Sequence, residues 1–244
     1  MSSVNDTPID VETLFSIRGK VALVTGGSRG IGLMIARGFV EAGATVYISS
    51  RSAEVCDAVA AELSTTGRCI SLPHDLSTLE GVAGLVRDLG EREEKLNILV
   101  NNAGAAWGEP FETFPEKGFD KVTDLNLKSL FFLTRDLVPR LEMAASAEDP
   151  ARIINIGSID GLRVPFVPNY SYAAAKAAVH HLTRMLAVHL GGRRITVNAI
   201  APGFVPSKMT RGLLEEHREA FERACPLGRI GEPADMAGAA VFLA

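Results

Sequence analysis

The sequence predicts an α/β fold, a doubly wound parallel sheet with helices on both faces, in a single domain. Short runs of β-branched residues alternate with longer segments of helical apolar spacing. The runs read VALVT, ATVYISS, NILVNNA, RIINIGS and RITVNAIA. Parallel strands need crossovers, and right-handed crossovers put helices on both faces of the sheet. Ligands of such sheets bind at the carboxyl ends of the strands.

The remaining segments follow from the same patterning. Residues 1–17 are polar with a weakly apolar end, and we expect an N-terminal arm. The folded domain is predicted over 18–244. Long helices are expected over 119–141 and 171–190, and a helix end with a loop over 142–150.

A glycine-rich turn follows the first predicted strand and precedes a helix. It reads TGGSRGIG over Thr25–Gly32. Such a turn brings backbone N–H groups and the positive end of the helix dipole against a pyrophosphate. The spacing is G-x-x-x-G-x-G, so a helix-capping turn without a ligand is the alternative. The candidate cofactor-binding residues here are Gly26, Ser28, Arg29, Gly30, Ile31 and Gly32.

The end of the second strand bears on which dinucleotide binds. NAD enzymes normally place an acidic residue there, about 20 residues past the turn, on the ribose 2′-hydroxyl. This chain has Ser49, Ser50 and Arg51 instead. Arg51 and Arg29 are suited to bind a 2′-phosphate, which favours NADP(H). The alternative for each arginine is a solvated surface charge.

A tyrosine and a lysine one helical turn apart indicate proton transfer. Tyr172 and Lys176 are spaced i, i+4, which puts the phenol and the ammonium on one helix face. A nearby positive charge lowers a tyrosine pKa from its usual value of about 10. Ser158 follows the strand RIINIG. Tyr170 shares no face with a lysine, and we expect it to line a substrate pocket.

These motifs together resemble those of the short-chain dehydrogenase/reductase family, which has a Rossmann-type fold. The set is TGGSRGIG, NNAG at 101–104, Asn126, Ser158, YAAAK at 172–176 and PG at 202–203. The resemblance covers residues 19 to 244 and implies a dinucleotide-binding catalytic domain. Relatives continue into a seventh strand, so we expect that C-terminal strand to be missing here and the chain to be trimmed at Ala244.

The resemblance also implies roles for individual residues. Tyr172 would be the general acid in carbonyl reduction, Lys176 would hold the nicotinamide ribose and lower the Tyr172 pKa, and Ser158 would bind the substrate oxygen. Asn126 would complete a proton relay through water. Further cofactor contacts would come from Asp75 and Leu76 at the adenine, from Asn102, Ala103 and Gly104 at its ribose, and from Pro202, Gly203 and Val205 at the carboxamide.

Within the family, the chain is similar to bacterial 3-oxoacyl-(acyl-carrier-protein) reductases, including the rhamnolipid-pathway type. The expected reaction is NADPH-dependent reduction of a ketone to a secondary alcohol, on a 3-oxoacyl thioester of acyl-carrier protein or CoA. A carbonyl, steroid or polyol dehydrogenase is the alternative, and a non-catalytic NADP-binding regulator is the alternative of another class. The loop GLRVPFVPN over 161–169 predicts an apolar pocket wall. Lys128, Arg135 and Arg163 are candidates for a basic rim, or plain surface charges.

Composition excludes several other classes. The 25 basic and 29 acidic residues show no basic run, so we expect no nucleic-acid partner. Three widely spaced cysteines predict a reducing compartment, and with no signal peptide or membrane span expected, the location is cytoplasmic. The five histidines lack ligand spacing, which predicts structural roles and no metal site.

Excess apolar residues on the two long helices predict a homo-oligomer, a dimer or tetramer.

Overall fold

A computed structural model of the protein describes residues 10–244; most of the expected N-terminal arm, residues 1–9, lies outside the described residues. The described chain contains a six-stranded parallel sheet in the order β3-β2-β1-β4-β5-β6. This confirms the predicted fold class. The strands are β1 (Val21–Thr25), β2 (Thr45–Ser49), β3 (Arg68–Ser71), β4 (Ile98–Asn101), β5 (Ala151–Ile156) and β6 (Ile195–Ile200).

Helices connect the strands and cover both faces of the sheet. They are α1 (Val11–Leu14), α2 (Gly30–Glu41), α3 (Ala53–Leu63), α4 (Leu79–Gly90), α5 (Glu116–Thr123), α6 (Ser129–Ala144), α7 (Tyr170–Gly191), α8 (Arg211–Ala224) and α9 (Pro233–Leu243). One apolar cluster joins α2, α3 and α9 to the first face. A second joins α4, α6 and α7 to the other face.

The central strands are apolar throughout because both of their faces are buried. In β1, Ala22 and Val24 pack in the first cluster, and Leu23 between them packs in the second. All three are fully buried. Burying one such large aliphatic side chain contributes roughly 1.5–3 kcal/mol, so continuous apolar runs are strongly favoured in these strands.

Two predicted boundaries differ in the structure. The helix expected over 119–141 is divided by a π-helical turn, Asp124–Lys128, between α5 and α6. Ile17, which we had expected in the arm, is buried in the first apolar cluster and belongs to the core. Its burial follows from contacts with the sheet and helices, which a local hydrophobicity pattern does not contain.

The strand order sets where a ligand binds. From β1 the chain moves outward to β2 and β3, then returns to place β4 on the other side of β1. The helices that follow β1 and β4 therefore lie on opposite faces, which leaves a crevice between the carboxyl ends of these two strands. The glycine turn follows β1 and the NNAG segment overlaps the end of β4.

Candidate active site

The glycine turn is held to the end of β4 by hydrogen bonds around Thr25. The Thr25 hydroxyl accepts from the backbone N–H of Asn102 at 2.9 Å and of Ala103 at 3.0 Å. The Asn102 side chain donates to the Thr25 carbonyl at 2.8 Å. Two segments 77 residues apart in sequence therefore form one rigid edge of the crevice.

The turn also has the backbone shape that a pyrophosphate requires. Gly26 and Gly30 have positive φ angles of 65° and 54°, which disfavour any residue with a Cβ. A Cβ on Gly32 would lie 2.3 Å from the Gly26 carbonyl oxygen, so the helix start packs directly on the turn. No side chain caps the N-terminus of α2. The residues present therefore fit a dinucleotide, with backbone N–H groups available to its phosphates.

Two exposed arginines border this edge. Within residues 10–244, neither Arg29 nor Arg51 forms an ion pair. Arg29 immediately precedes α2, and the positive charge of Arg51 helps to lower the pKa of Asp75, after the backbone N–H of Ser77. Arg51 and Asp75 therefore lie near each other. Both arginines are suited to bind a further phosphate.

The other predicted cofactor-binding residues differ in how far they are buried. Leu76 is buried in the second apolar cluster, so only its backbone is suited to contact an adenine. Ser28 is buried and Ile31 packs against the first cluster. Gly104 lies close to Asn126, since a Cβ there would be 3.2 Å from the Asn126 side-chain oxygen. Val205 is buried, while Gly203 is exposed beside Pro202.

The predicted catalytic residues meet where β5 ends against α7. Ser158 lies two residues past β5, and Tyr172 is in the first turn of α7. The Ser158 side-chain oxygen accepts the backbone N–H of Asp160 at 3.1 Å. The hydroxyl keeps its own hydrogen while it accepts this bond, and that hydrogen is suited to donate to a substrate oxygen beside Tyr172.

The pKa of Tyr172 corrects one expectation. Lys176 was expected to lower it, but burial raises the pKa of Tyr172 above its ordinary value. The nearby Ser158 hydroxyl acts in the opposite direction, and the negative charge of Asp160 raises the pKa further. The phenol is therefore protonated at neutral pH, which is the form in which it can act as a general acid.

Lys176 lies deep under the tyrosine. Its ammonium donates to the Ile156 carbonyl oxygen at 2.6 Å and lies 5.7 Å from the centre of the Tyr172 ring. Complete burial lowers the pKa of Lys176 from 10.5 to about 8. The i, i+4 spacing is thus confirmed as one helix face, but the ammonium is directed to a backbone carbonyl as well as toward the phenol.

Asn126 lies in the π-helical turn, a distortion that occurs often at functional sites. Its side chain accepts from the Ala105 N–H at 2.8 Å and donates to the Ala105 carbonyl at 3.0 Å. Asn126 is fully buried. The side chain therefore anchors the loop after β4, while its place in a proton relay through water stays a prediction.

Sequence reasoning missed several residues around the site. Asp160 affects Tyr172 through space and accepts from the Asn169 side chain at 3.1 Å. Phe111 and Phe114 contact Tyr170 edge-on, with ring centres 5.6 and 5.8 Å apart. No periodic pattern marks these residues, because they lie in loops that only the tertiary fold brings together. Trp107, in the loop after β4, packs against Gly118.

Exposed apolar side chains surround the start of α7, whose first turn carries Tyr172, and we call this surface the apolar mouth. Phe111, Val164 and Phe166 are 72%, 89% and 76% exposed, and Leu162 is also exposed. The two loops that carry them are joined by a hydrogen bond of 3.1 Å from the Glu109 N–H to the Pro168 carbonyl. The apolar wall predicted over 161–169 is thus extended by Phe111 from the loop after β4.

A cleft of about 1330 Å³ lies between α2 and α8 and includes Arg29 and Gly30 of the glycine turn in its lining. Its lining includes Arg29, Gly30, Ser207 and Arg211. The Ser207 hydroxyl is hydrogen-bonded to Thr210, at 3.0 Å between the two side-chain oxygens.

Across the described residues 10–244, no helix is long and apolar enough to span a membrane. The same residues contain no group of three or more His, Cys, Asp or Glu side chains that could hold a metal ion.

The glycine cradle, the two arginines and the Ser158–Tyr172–Lys176 group define a dinucleotide-binding oxidoreductase of the Rossmann type. The short chain dehydrogenase family matches residues 20–218, more than half of the chain. The chain therefore belongs to the short-chain dehydrogenase family, which confirms the resemblance found in the sequence.

Individual relatives cover nearly the whole chain. It is 49% identical to the rhamnolipids biosynthesis 3-oxoacyl-[acyl-carrier-protein] reductase of Pseudomonas aeruginosa, over 94% of this chain and 91% of that protein. It is 37% identical to a 2-dehydro-3-deoxy-D-gluconate 5-dehydrogenase of Dickeya dadantii, over 94% and 90%. The solved Pseudomonas aeruginosa RhlG/NADP active-site complex superposes with a TM-score of 0.91 at 49% identity, covering 94% of this chain and 90% of that one.

Proposed function

We propose that the protein is an NADPH-dependent reductase that converts the ketone of a 3-oxoacyl thioester, carried by acyl-carrier protein or CoA, into a secondary alcohol in the cytoplasm. The apolar mouth beside Tyr172 is the observation that carries this choice of substrate. An acyl chain gains free energy by covering exposed Phe111, Val164 and Phe166, whereas a polyhydroxylated sugar acid does not. The 49% identical relative named as a 3-oxoacyl reductase supports the same substrate class.

The chain's own residues supply proton transfer and orientation in this reaction. Bound NADPH supplies the hydride that reduces the carbonyl carbon. Ser158 donates a hydrogen bond to the carbonyl oxygen, which strengthens as negative charge develops there. Tyr172 donates its phenolic proton to that oxygen and completes the alcohol. Lys176 lies on the same helix face, 5.7 Å from the centre of the Tyr172 ring, where its ammonium is suited to bind the nicotinamide ribose.

The substrate class is tested by comparing NADPH oxidation with 3-oxoacyl thioesters of short and long chain, simple ketones, steroids and keto-sugar acids. We expect the highest kcat/KM with the long-chain thioesters. Phe111→Ser should lower kcat/KM for the long chains roughly tenfold, because one aromatic contact is lost, and leave the short chain unchanged.

Phe242→Ser is the matched control, since Phe242 is equally an exposed phenylalanine but lies on α9 beside Phe15. It should change none of these rates. Higher kcat/KM for keto-sugar acids than for every thioester would contradict the proposal and favour the polyol alternative.

The cofactor preference is tested at Arg51. The protein should use NADPH with a higher kcat/KM than NADH. Arg51→Asp should lower kcat/KM for NADPH about 10- to 100-fold, since hydrogen bonds to a charged group contribute about 1.5–3 kcal/mol. Arg92→Asp, at an exposed arginine whose guanidinium donates to the Asp88 carbonyl, should have no effect. Equal or better use of NADH by the unaltered protein would refute the assignment.

The proposal includes an acidic carrier protein or CoA as the partner that presents the substrate. Lys128 and Arg135 pair with Asp124 and Asp136 at 3.2 and 2.7 Å, whereas Arg163 lies over the Phe166 ring at the mouth. Arg163 is therefore the best placed of the three cations to meet an acidic carrier protein or a CoA phosphate. Its position at the apolar mouth fits a thioester whose polar carrier remains outside.

A homo-oligomer is also part of the proposal. Phe131 on α6 and Met185 and Val188 on α7 are exposed apolar residues on the two helices with excess apolar surface. Covering them with the same helices of another copy would remove this surface from water. Sedimentation at micromolar concentration should give the mass of a dimer or tetramer, and a single-chain mass would contradict this.

A further inference from the structure

The face of α7 that carries Tyr172 and Lys176 has a third member. His180 lies at i+8 from the tyrosine and i+4 from the lysine, so the three side chains form one stripe along the helix. His180 Nε2 lies 3.0 Å from the carbonyl oxygen of Ser158 and 3.4 Å from its backbone nitrogen. The sequence indicated only a structural histidine at this position.

We propose that His180 is a positioning residue that holds Ser158 in place for the substrate oxygen, an inference that rests on the proposed reductase function. The shorter of its two contacts is to a carbonyl oxygen, which only accepts. Nε2 therefore carries a hydrogen and donates it to Ser158.

Lys176 and His180 act as a pair on the segment that leads to the catalytic serine. Lys176 donates to the carbonyl of residue Ile156, and His180 to that of Ser158. In extended chain, carbonyls two residues apart point to the same side, so one helix face meets both. Lys176 and His180 thus hold the end of β5 through the carbonyls of Ile156 and Ser158, which point to the same side of the chain.

The glycine between these two carbonyls shows how closely the histidine approaches. A Cβ on Gly157 would lie 2.2 Å from His180 Cε1 and 2.7 Å from Nε2. The ring therefore lies directly against the Gly157 α-carbon. Any side chain there would displace the ring or the strand end, so the contact needs both the glycine and the histidine.

Other bonds hold Ser158 from the opposite side. The next residue, Ile159, donates its N–H to the Pro202 carbonyl at 3.1 Å, and the Ser158 hydroxyl accepts from Asp160. His180 supplies the α7 side of this clamp. Losing it leaves the serine held from one side only, and a displacement of about 1 Å at a catalytic group costs on the order of 10²-fold in rate.

The test compares His180→Phe, which keeps a ring against Gly157 but has no donor, with His180→Gln, whose amide nitrogen can replace Nε2. His180→Phe should lower kcat 10- to 100-fold while KM and the Kd for NADPH change less than twofold. His180→Gln should restore kcat to within about threefold. His181→Phe, at the exposed neighbouring histidine, should leave all three constants unchanged.

A double-mutant cycle with Ser158→Ala separates positioning from packing. If His180 acts through Ser158, adding His180→Phe to Ser158→Ala should lower kcat by less than twofold more. An undiminished further loss in that background, or failure of His180→Gln to restore kcat in a folded protein, would overturn the proposal. Full activity of Ser158→Ala alone would instead contradict the proposed role of Ser158, and a failure of every ketone substrate would contradict the reductase function.

Discussion

Tyr172→Phe should abolish carbonyl reduction while NADPH still binds. Removing the phenolic proton donor should lower kcat/KM on the order of 10³-fold, within the range that general acid catalysis contributes. The ring remains, so its packing and the hydrophobic contribution to folding are kept. Steady-state kinetics should be measured beside NADPH binding by fluorescence, with the Kd expected to change less than threefold.

A matched control is available at Tyr47, which makes the same chemical change far from the crevice. Its hydroxyl donates to Glu93 at 2.7 Å, so Tyr47→Phe should cost roughly 1 kcal/mol of stability and leave kcat/KM intact. Retained turnover by Tyr172→Phe would exclude the phenol as the proton donor. Loss of NADPH binding would indicate that the residue acts through the cofactor instead.

Lys176→Met should remove activity without destabilising the protein at neutral pH. We expect kcat/KM to fall at least about 100-fold, because the cation beside the phenol and the nicotinamide ribose is lost. Lowering a lysine pKa from 10.5 to about 8 corresponds to roughly 3 kcal/mol of destabilisation at pH 7. Methionine removes this cost but leaves the buried Ile156 carbonyl without its donor, which costs about 1–3 kcal/mol.

The two effects nearly cancel at pH 7, and they separate at alkaline pH. Between pH 8 and 10.5 the folded protein binds fewer protons at Lys176 than the unfolded chain, so this residue makes stability rise with pH. The raised pKa values of Tyr47 and Cys69, both about 12, act in the opposite direction but are present in both proteins. Between pH 7 and 10, the free energy of unfolding of the unaltered protein should therefore rise relative to that of Lys176→Met by up to about 3 kcal/mol.

Urea unfolding of both proteins at several pH values measures this difference. Lys117→Met, at an exposed lysine on α5, should show neither the loss of activity nor the pH-dependent difference. A gap between Lys176→Met and the unaltered protein that stays constant from pH 7 to 10 would mean that Lys176 titrates normally in the folded state.

The sheet could be predicted from sequence because its signal is local. Strands buried on both faces need continuous apolar runs, and each of the five runs contains or overlaps a strand, whereas β3, which is less buried, lies outside them. The spacing of Tyr172 and Lys176 was equally local, since helical geometry alone puts them on one face. The division between α5 and α6 was missed, because a π-helical turn adds one residue without changing the apolar pattern.

Most residues of the site could be predicted from the sequence, but the hydrogen bonds and contacts between them could not. Asn102 and Thr25 were both in recognisable motifs, but their hydrogen bond exists only because β4 lies beside β1. The resemblance gave Asn126 a place in a proton relay, but its hydrogen bonds to Ala105 could be seen only in the structure. Asp160 and Phe111 carried no signal in the sequence, since their effects depend on loops that meet across the crevice.

The sequence by itself determined the fold class, the position of the glycine turn and the helix face that holds Tyr172. It also determined that an arginine, Arg51, follows β2 where NAD enzymes place an acidic residue. Each of these depends on neighbours within one or two turns or along one strand. Only the tertiary structure decided the pKa of Tyr172, the partner of Lys176 and the contact of His180 with Ser158. Burial sets the first property and hydrogen bonds between residues 20 or more positions apart set the other two, and both arise only when β5 and α7 pack together.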